Sequence, residues 1–329
     1  LPFGIWLNLS DFTYLARFIK GTNDHPLGFG SIESMLSRRD LFLLSLVLPG
    51  LLKGCNARQA EPIGKLVVGI VSYDAPANYL EKFERFRDYL ATAIKTVVEL
   101  EPAFNELNAV EQIQRRVWSI VFAPPGLAAI AIGSQQYIPI FALQGSNNER
   151  SVLLVRADSS IQTLGDLANQ VVALGEPGSA TGYYLPLYDL YGLTLQEVRF
   201  APTPRSVLEW LSQGTIAAGA LSEQEFQQYR NEFGASQFRV LHTSRNVPAS
   251  AVLLAPTVDR NRQYQIETAM RNAPSSIIGD AGYIPEAALP NYDQFIKLVA
   301  KVRPLEARVQ QKPAVLTMEP INESPTPAL

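Results

Sequence analysis

The chain has 329 residues, of which 47% are hydrophobic and 18% charged, with 28 lysines and arginines against 31 aspartates and glutamates. That length supports one large or two ordinary domains with proper cores and excludes a chain disordered throughout. A net charge of −3 excludes a general electrostatic footing on nucleic acid, so no nucleic-acid partner is expected and an anionic ligand must be held locally. Two histidines, His25 and His242, and a single cysteine, Cys55, exclude a soft metal cluster, a His-rich site and a disulfide framework, so neither a metal nor a cofactor is expected.

From Met35 the chain runs through Arg38-Arg39 into the apolar stretch Leu41 to Leu52 and then Lys53-Gly54-Cys55. The apolar stretch is about 12 residues against the ~20 that a spanning helix needs, which suits a signal peptide better than a permanent span. The arginine pair resembles the twin-arginine export motif, and Leu52 to Cys55 resembles a lipobox whose cysteine becomes the acylated first residue, although Lys53 departs from the usual small or apolar residue there. Residues 35–55 are therefore expected to be an export and lipoprotein signal, 56–64 a polar tether, and 1–34, upstream of the signal, a start-site artefact or a disordered segment. The alternative is a buried apolar helix with a chance arginine pair before it, leaving Cys55 an ordinary small core residue.

The body then alternates strand and helix. Leu66 to Val71 reads as a buried strand; Leu80, Phe83, Leu90 and Ile94 recur near helical spacing; Val97 to Leu100 is a second strand, Leu107 to Val117 a second helix, and Ser119 to Ala123 a third strand ending at Pro124-Pro125-Gly126. This is the rhythm of a parallel α/β sheet. Strands at 138–143 and 152–155 follow, separated by a polar turn cluster at 144–150. The pattern restarts with a short helix at 164–167, a strand at 171–174, a helix at 181–191, a strand at 198–200, a helix at 206–211 and a strand at 216–221. A last apolar strand at 251–255 precedes helices at 262–270 and 292–302. Two nested units are expected: a first lobe from 65–147 completed by 254–305, and a second from 148–253, with two crossings forming a hinge. Residues 306–329, with Pro313, Pro320, Pro325 and Pro327 and few large apolar residues, are expected to be a disordered tail.

Ligands of open α/β sheets collect beyond the carboxyl ends of strands, where helix N-termini present free N–H groups. Four segments qualify. Gly175 to Tyr183 combines glycines that let backbone approach a ligand, the hydroxyls of Ser179 and Thr181, and a helix dipole favouring negative charge. It is not a P-loop, because no Gly-Lys-Ser/Thr follows; a plain N-cap by Ser179 is the competing explanation. The others are Val71 to Asp74 with Tyr73, the turn at Pro124, and Leu221-Ser222-Glu223, where Glu223 could accept from a protonated ligand or simply cap the next helix.

Over residues 65–303 the sequence resembles the phosphate/phosphite/phosphonate-binding proteins that serve ABC importers. The resemblance rests on Val68-Gly69-Ile70, the helix from Phe83 to Leu90, Ser151 to Ser159 before Ile161 to Leu167, and above all Gly175 to Pro186. It implies a two-lobed, type II periplasmic binding fold, each lobe a mixed sheet flanked by helices. It also implies a monomer that captures a small anion between the lobes and delivers it to an ABC permease in the inner membrane, touching the membrane only through a lipid anchor at Cys55. Ser179, Ala180, Thr181 and Gly182 then donate to phosphonyl oxygens, Tyr73 and Pro124 close from the first lobe, and Ser222, Glu223 and Arg205 complete the site. Two departures stand out. Pro124-Pro125-Gly126-Leu127 lacks the tyrosine usual after that turn, and Pro204-Arg205 replaces a histidine and an acidic residue, so Arg205, if it points inward, favours phosphate or phosphite over an amino-phosphonate.

A binding protein works by lobe closure and breaks no bond. Two other readings compete: an exported sensor or assembly factor with a degenerate cleft, and a serine hydrolase using Ser179. The hydrolase is poorly supplied, because Gly178 to Gly182 does not fit Gly-x-Ser-x-Gly and His242, the only histidine in the body, would have to be the base.

Overall fold

The computed structural model of the protein describes residues 64–71, 77–145, 149–234 and 236–317. The signal and tether, Cys55 and Tyr73 lie outside the described residues.

The first lobe is built on a six-stranded mixed sheet. Strand β1 (Lys65–Val71) is parallel to β2 (Val97–Ala103) on one side and to β3 (Ile120–Ala123) on the other. Beyond β3 the sheet continues antiparallel through β11 (Ala251–Leu254), β4 (Ile138–Leu143) and the two-residue β12 (Tyr283–Ile284). Gly69 in β1 is dictated by packing, since a Cβ there would lie 2.0 Å from the Trp118 ring. Helix α1 (Ala77–Ile94) covers the sheet with Phe83, Phe86 and Leu90, all buried; Phe83 and Phe86 meet Phe122 edge-on at 4.9 and 5.4 Å. Each buried side chain of this size contributes about 1.5–3 kcal/mol relative to exposure.

Helix α2 (Glu106–Gln114), capped by Asn105, leads to β3, and α3 (Pro125–Gln135) follows β3 directly. The expected Pro-Pro-Gly turn is thus the start of a helix, with Pro125 in the first turn, where its missing N–H costs nothing. Residues 125–131 are all buried, so α3 has no polar face and no amphipathic period to read.

The second lobe carries a five-stranded mixed sheet in the order β10-β5-β9-β6-β8, with β5 (Arg150–Arg156), β6 (Val171–Leu174), β8 (Glu197–Phe200), β9 (Ala218–Ser222) and β10 (Phe238–Asn246). Between β6 and β8 run a π-helical turn (Ala180–Tyr184), α4 (Leu185–Asp189) and the short β7 (Thr194–Leu195); α5 (Pro204–Ser212) and α6 (Glu223–Tyr229) flank β9. The long edge strand β10 escapes the sequence pattern because two register shifts break its alternation.

Two expectations are corrected. Strand β11 belongs to the first sheet, hydrogen-bonded between β3 and β4, so the chain has recrossed before 251 and not at 254. The tail does not become irregular at 306. After α7 (Arg260–Arg271), α8 (Ser275–Ala281) and α9 (Asp293–Val302), the chain goes on to bury Val309, Ala314 and Leu316, and β13 (Ala314–Val315) pairs antiparallel with β7. Composition alone misjudges this stretch because a few well-spaced apolar residues suffice to dock a short segment. The result is a third link between the lobes, besides the connections from β4 to β5 and from β10 to β11, each of which joins strands of different sheets.

Candidate functional site

Strands β6, β8 and β9 are parallel neighbours, so their carboxyl ends open side by side. Beyond them lies a cavity of about 290 Å³, lined from the second lobe by the loop after β6 (Gly175, Glu176, Ser179, Gly182), the loop into α5 (Ala201 to Pro204) and α6 (Glu225, Gln228, Tyr229), and from the first lobe by Glu106 of α2.

The loop is held from within. Ser179 caps the π-helical turn, its Oγ accepting from Gly182 N at 3.0 Å, while Gly175 N donates to Gly182 O at 2.8 Å. Ser151 of β5 donates its hydroxyl to Thr181 O at 2.5 Å. Gly178 sits at φ +116°, and a Cβ there would lie 2.8 Å from Glu106 Cβ, so conformation and space both require glycine. Across the seam, a Cβ on Gly126 at the start of α3 would lie 2.0 Å from Gly178 O and 2.7 Å from Ala180 N. Two helix N-termini, one from each lobe, therefore converge on one point, and the first N–H groups of a helix have no partner inside it.

Of the expected site residues, Ser179 and Gly182 line the cavity. Pro124, the N-cap residue of α3, and Ala180 and Thr181, both buried, stand at the seam beside it. The other three are not gathered there. Arg205 turns outward: its Nε donates to Glu232 Oε2 at 2.7 Å and its guanidinium lies 5.9 Å from the Phe233 ring centroid, so it supplies no cation to the site. Glu223 is engaged by Arg150, which donates from Nη2 at 2.9 Å and from Nε at 3.2 Å. Ser222 is the N-cap of α6 in a reciprocal capping box with Glu225.

Sequence reasoning missed the carboxylates. Glu106, Glu176 and Glu225 line the cavity, whereas among the described residues no lysine, arginine or histidine does. Glu225 Oε2 accepts from Ser222 N at 2.8 Å, and Glu176 Oε2 is buried without a hydrogen-bond partner. Among the described residues no group of three or more His, Cys, Asp or Glu side chains could hold a metal ion. Nearby, burial raises the Glu149 carboxyl above its ordinary range, an effect that the Ser222 hydroxyl donating to it only partly offsets. His242, the residue a hydrolase would need as its base, has its Nε2 3.0 Å from Asp189 Oδ2.

The family described as ABC transporter, phosphonate, periplasmic substrate-binding protein matches residues 68–295. No curated protein matches the sequence significantly. Among solved structures, the chain is similar to the XAC2383 protein of Xanthomonas citri bound to ATP, with a TM-score of 0.59 and 18% identity over 73% of this chain and 98% of that one. It is also similar to PhnD1 of Prochlorococcus marinus in complex with methylphosphonate, with a TM-score of 0.56 and 17% identity over 73% and 98% of the two chains. A binding-protein component of an ABC phosphonate transporter from Pseudomonas aeruginosa gives a TM-score of 0.54 and 14% identity over 74% and 87%. The family match covers both sheets and the loop where two helix N-termini meet, and on that ground the chain belongs to the phosphonate-binding family of periplasmic ABC-transporter substrate-binding proteins, which capture a phosphorus oxyanion for import and do not transform it.

Proposed function

We propose that the protein captures an organophosphonate carrying a cationic amino group, with the phosphonyl oxygens accepting from the N-termini of α3 and the 180–184 turn and the amino group projecting into the cavity of the second lobe. The observation that carries this reading is the charge of the cavity: three lining carboxylates, one with a buried unpartnered oxygen, and no lining cation among the described residues. A bare phosphate dianion gains from the helix N-termini but is repelled by these carboxylates, whereas an ammonium group converts the repulsion into charge-assisted hydrogen bonds. Ser179 and Thr181 supply hydroxyls at the anion end. Because Gly126 and Gly178 meet directly, the lobes must separate by at least the width of a phosphonyl group to admit a ligand. Export under the signal at 35–55, lipid attachment at Cys55, a monomeric state and delivery to an inner-membrane permease complete the proposal.

Calorimetric titration with 2-aminoethylphosphonate, methylphosphonate, phosphate and sulfate tests it. The expected order places 2-aminoethylphosphonate about tenfold or more ahead of methylphosphonate, a difference of about 1.4 kcal/mol, and Glu176→Gln removes most of that preference. Equal affinities for the two phosphonates overturn the amino-group assignment. Silence across the panel favours the second reading, a sensor or assembly factor with a degenerate cleft, which the direct Gly126 to Gly178 contact supports.

A further inference from the structure

The cavity is not shared evenly between the lobes. Among the described residues, Glu106 is the one lining residue that comes from the first lobe; Glu176 and Glu225 belong to the second and stay with it whether the lobes meet or part. Glu106 opens α2 just past the carboxyl end of β2, and Asn105 fixes that first turn, its Oδ1 accepting from Asn108 N at 2.8 Å. The pattern here is the reverse of an ordinary amphipathic helix. Phe104 and Leu107, on either side in sequence, are 67% and 50% exposed, while the charged residue between them is half-buried against the second lobe. Val110, one turn on, shares that face: a Cβ on Gly178 would lie 2.8 Å from Glu106 Cβ and 3.1 Å from Val110 Cγ2. An acidic residue at the start of a helix also suits the helix dipole, but that role asks only for a place in the first turn and not for the seam.

Closure therefore carries a third carboxylate into a space of about 290 Å³ that already holds two. Glu225 Oε2 takes the Ser222 N–H, and Glu176 Oε2 is buried without a hydrogen-bond partner, so the second lobe offers no cation to offset the newcomer. Like charges in a half-enclosed cavity are screened less than on an open surface, and they oppose the step that brings them together. A ligand ammonium among them turns that opposition into attraction from both lobes. The methyl group of methylphosphonate leaves it as it was.

We infer that Glu106 couples lobe closure to the charge of the ligand: it opposes closure on an unliganded cleft or on a phosphonate without a cation, and favours closure on a phosphonate that carries an ammonium group. This rests on the amino-phosphonate reading proposed above and adds to it a control of the same site, exerted from the opposite lobe.

The experiment uses the full chain with Glu106→Gln, Glu106→Lys and Glu106→Asp. Small-angle scattering without ligand gives the lobe separation, and calorimetric titration gives affinities for 2-aminoethylphosphonate and methylphosphonate. Without ligand, Glu106→Gln has a smaller radius of gyration than the unaltered protein, Glu106→Lys is at least as compact as Glu106→Gln, and Glu106→Asp, which keeps the charge, resembles the unaltered protein. The two ligands respond to Glu106→Gln with opposite signs. Affinity for 2-aminoethylphosphonate falls by about tenfold, whereas affinity for methylphosphonate rises by about threefold because the closed form is no longer disfavoured. A residue that served only the dipole of α2 would move both affinities together or neither. Ligand-free scattering unchanged in both Glu106→Gln and Glu106→Lys, or the same factor of loss for the two phosphonates, overturns the inference. If the unaltered protein binds neither phosphonate, the amino-phosphonate reading fails, while ligand-free scattering still decides whether Glu106 opposes closure.

Discussion

Glu149 occupies a position that water would treat better than the protein does. It lies just before β5, half-buried, with its carboxyl raised above the ordinary 4.5 by desolvation and only partly relieved by the Ser222 hydroxyl. A carboxyl with a raised folded value binds its proton more readily in the native chain than in the unfolded one. Its contribution to stability is therefore present below pH 4.5 and is lost as the pH rises through the raised native value. Replacing it with glutamine keeps a hydrogen-bond acceptor and removes the buried charge. Glu149→Gln should raise the melting temperature at pH 7 by about 2 °C and leave it nearly unchanged at pH 4. Equal shifts at the two pH values would count against burial as the cause. Asp189 and Glu306 are raised for the same reason, whereas Asp158, Asp166 and Glu197 are lowered by hydrogen bonds, the first to Arg156, the second to backbone N–H groups and the third to Lys312.

At the scale of elements, the residues after β9 show how one short motif serves two jobs that look alike in sequence. Ser222-Glu223 follows a buried strand, as a binding residue would, yet Ser222 Oγ accepts from Glu225 N at 3.1 Å and Glu223 pairs with Arg150. Ser222→Ala should cost about 1 kcal/mol of stability through loss of the cap, with ligand affinity unchanged. Arg205→Ala should likewise leave affinity unchanged, since its exposed pair with Glu232 contributes little. A tenfold loss of binding in either variant would restore that residue to the site.

The same scale explains what could be read in advance. Strands β1, β4 and β6 are legible because an apolar run bounded by polar residues means a buried strand in any context. The loop 175–183 is legible because glycines and hydroxyls stand directly at a strand end. Helix α3 is not, since burial all round erases its period, and Glu106 and Glu225 are not, since they reach the cavity from a different lobe and from one turn inside a helix. The docking of 306–317 depends on a partner strand, β7, only two residues long, which carries no pattern of its own.

At the scale of the molecule, the decisive contact is the one between Gly126 and Gly178. Lobe closure brings two helix N-termini together, and each repels the other's positive end unless an anion or a carbonyl lies between them. Gly178 O occupies that place, which balances the dipoles and also makes the contact intolerant of any added atom. Gly126→Ala puts a methyl group 2.0 Å from that oxygen, and neither partner is the end of a flexible side chain, so the strain is relieved only by moving one lobe from the other. Each lobe keeps its own sheet in such a variant. The expected outcome is an increase in the radius of gyration by small-angle scattering, retained circular dichroism, and affinity for 2-aminoethylphosphonate reduced by about tenfold or more, because ligand binding must then drive a closure that the backbone resists. Unchanged scattering together with unchanged affinity would show that the seam yields locally and that closure at Gly126 does not limit capture.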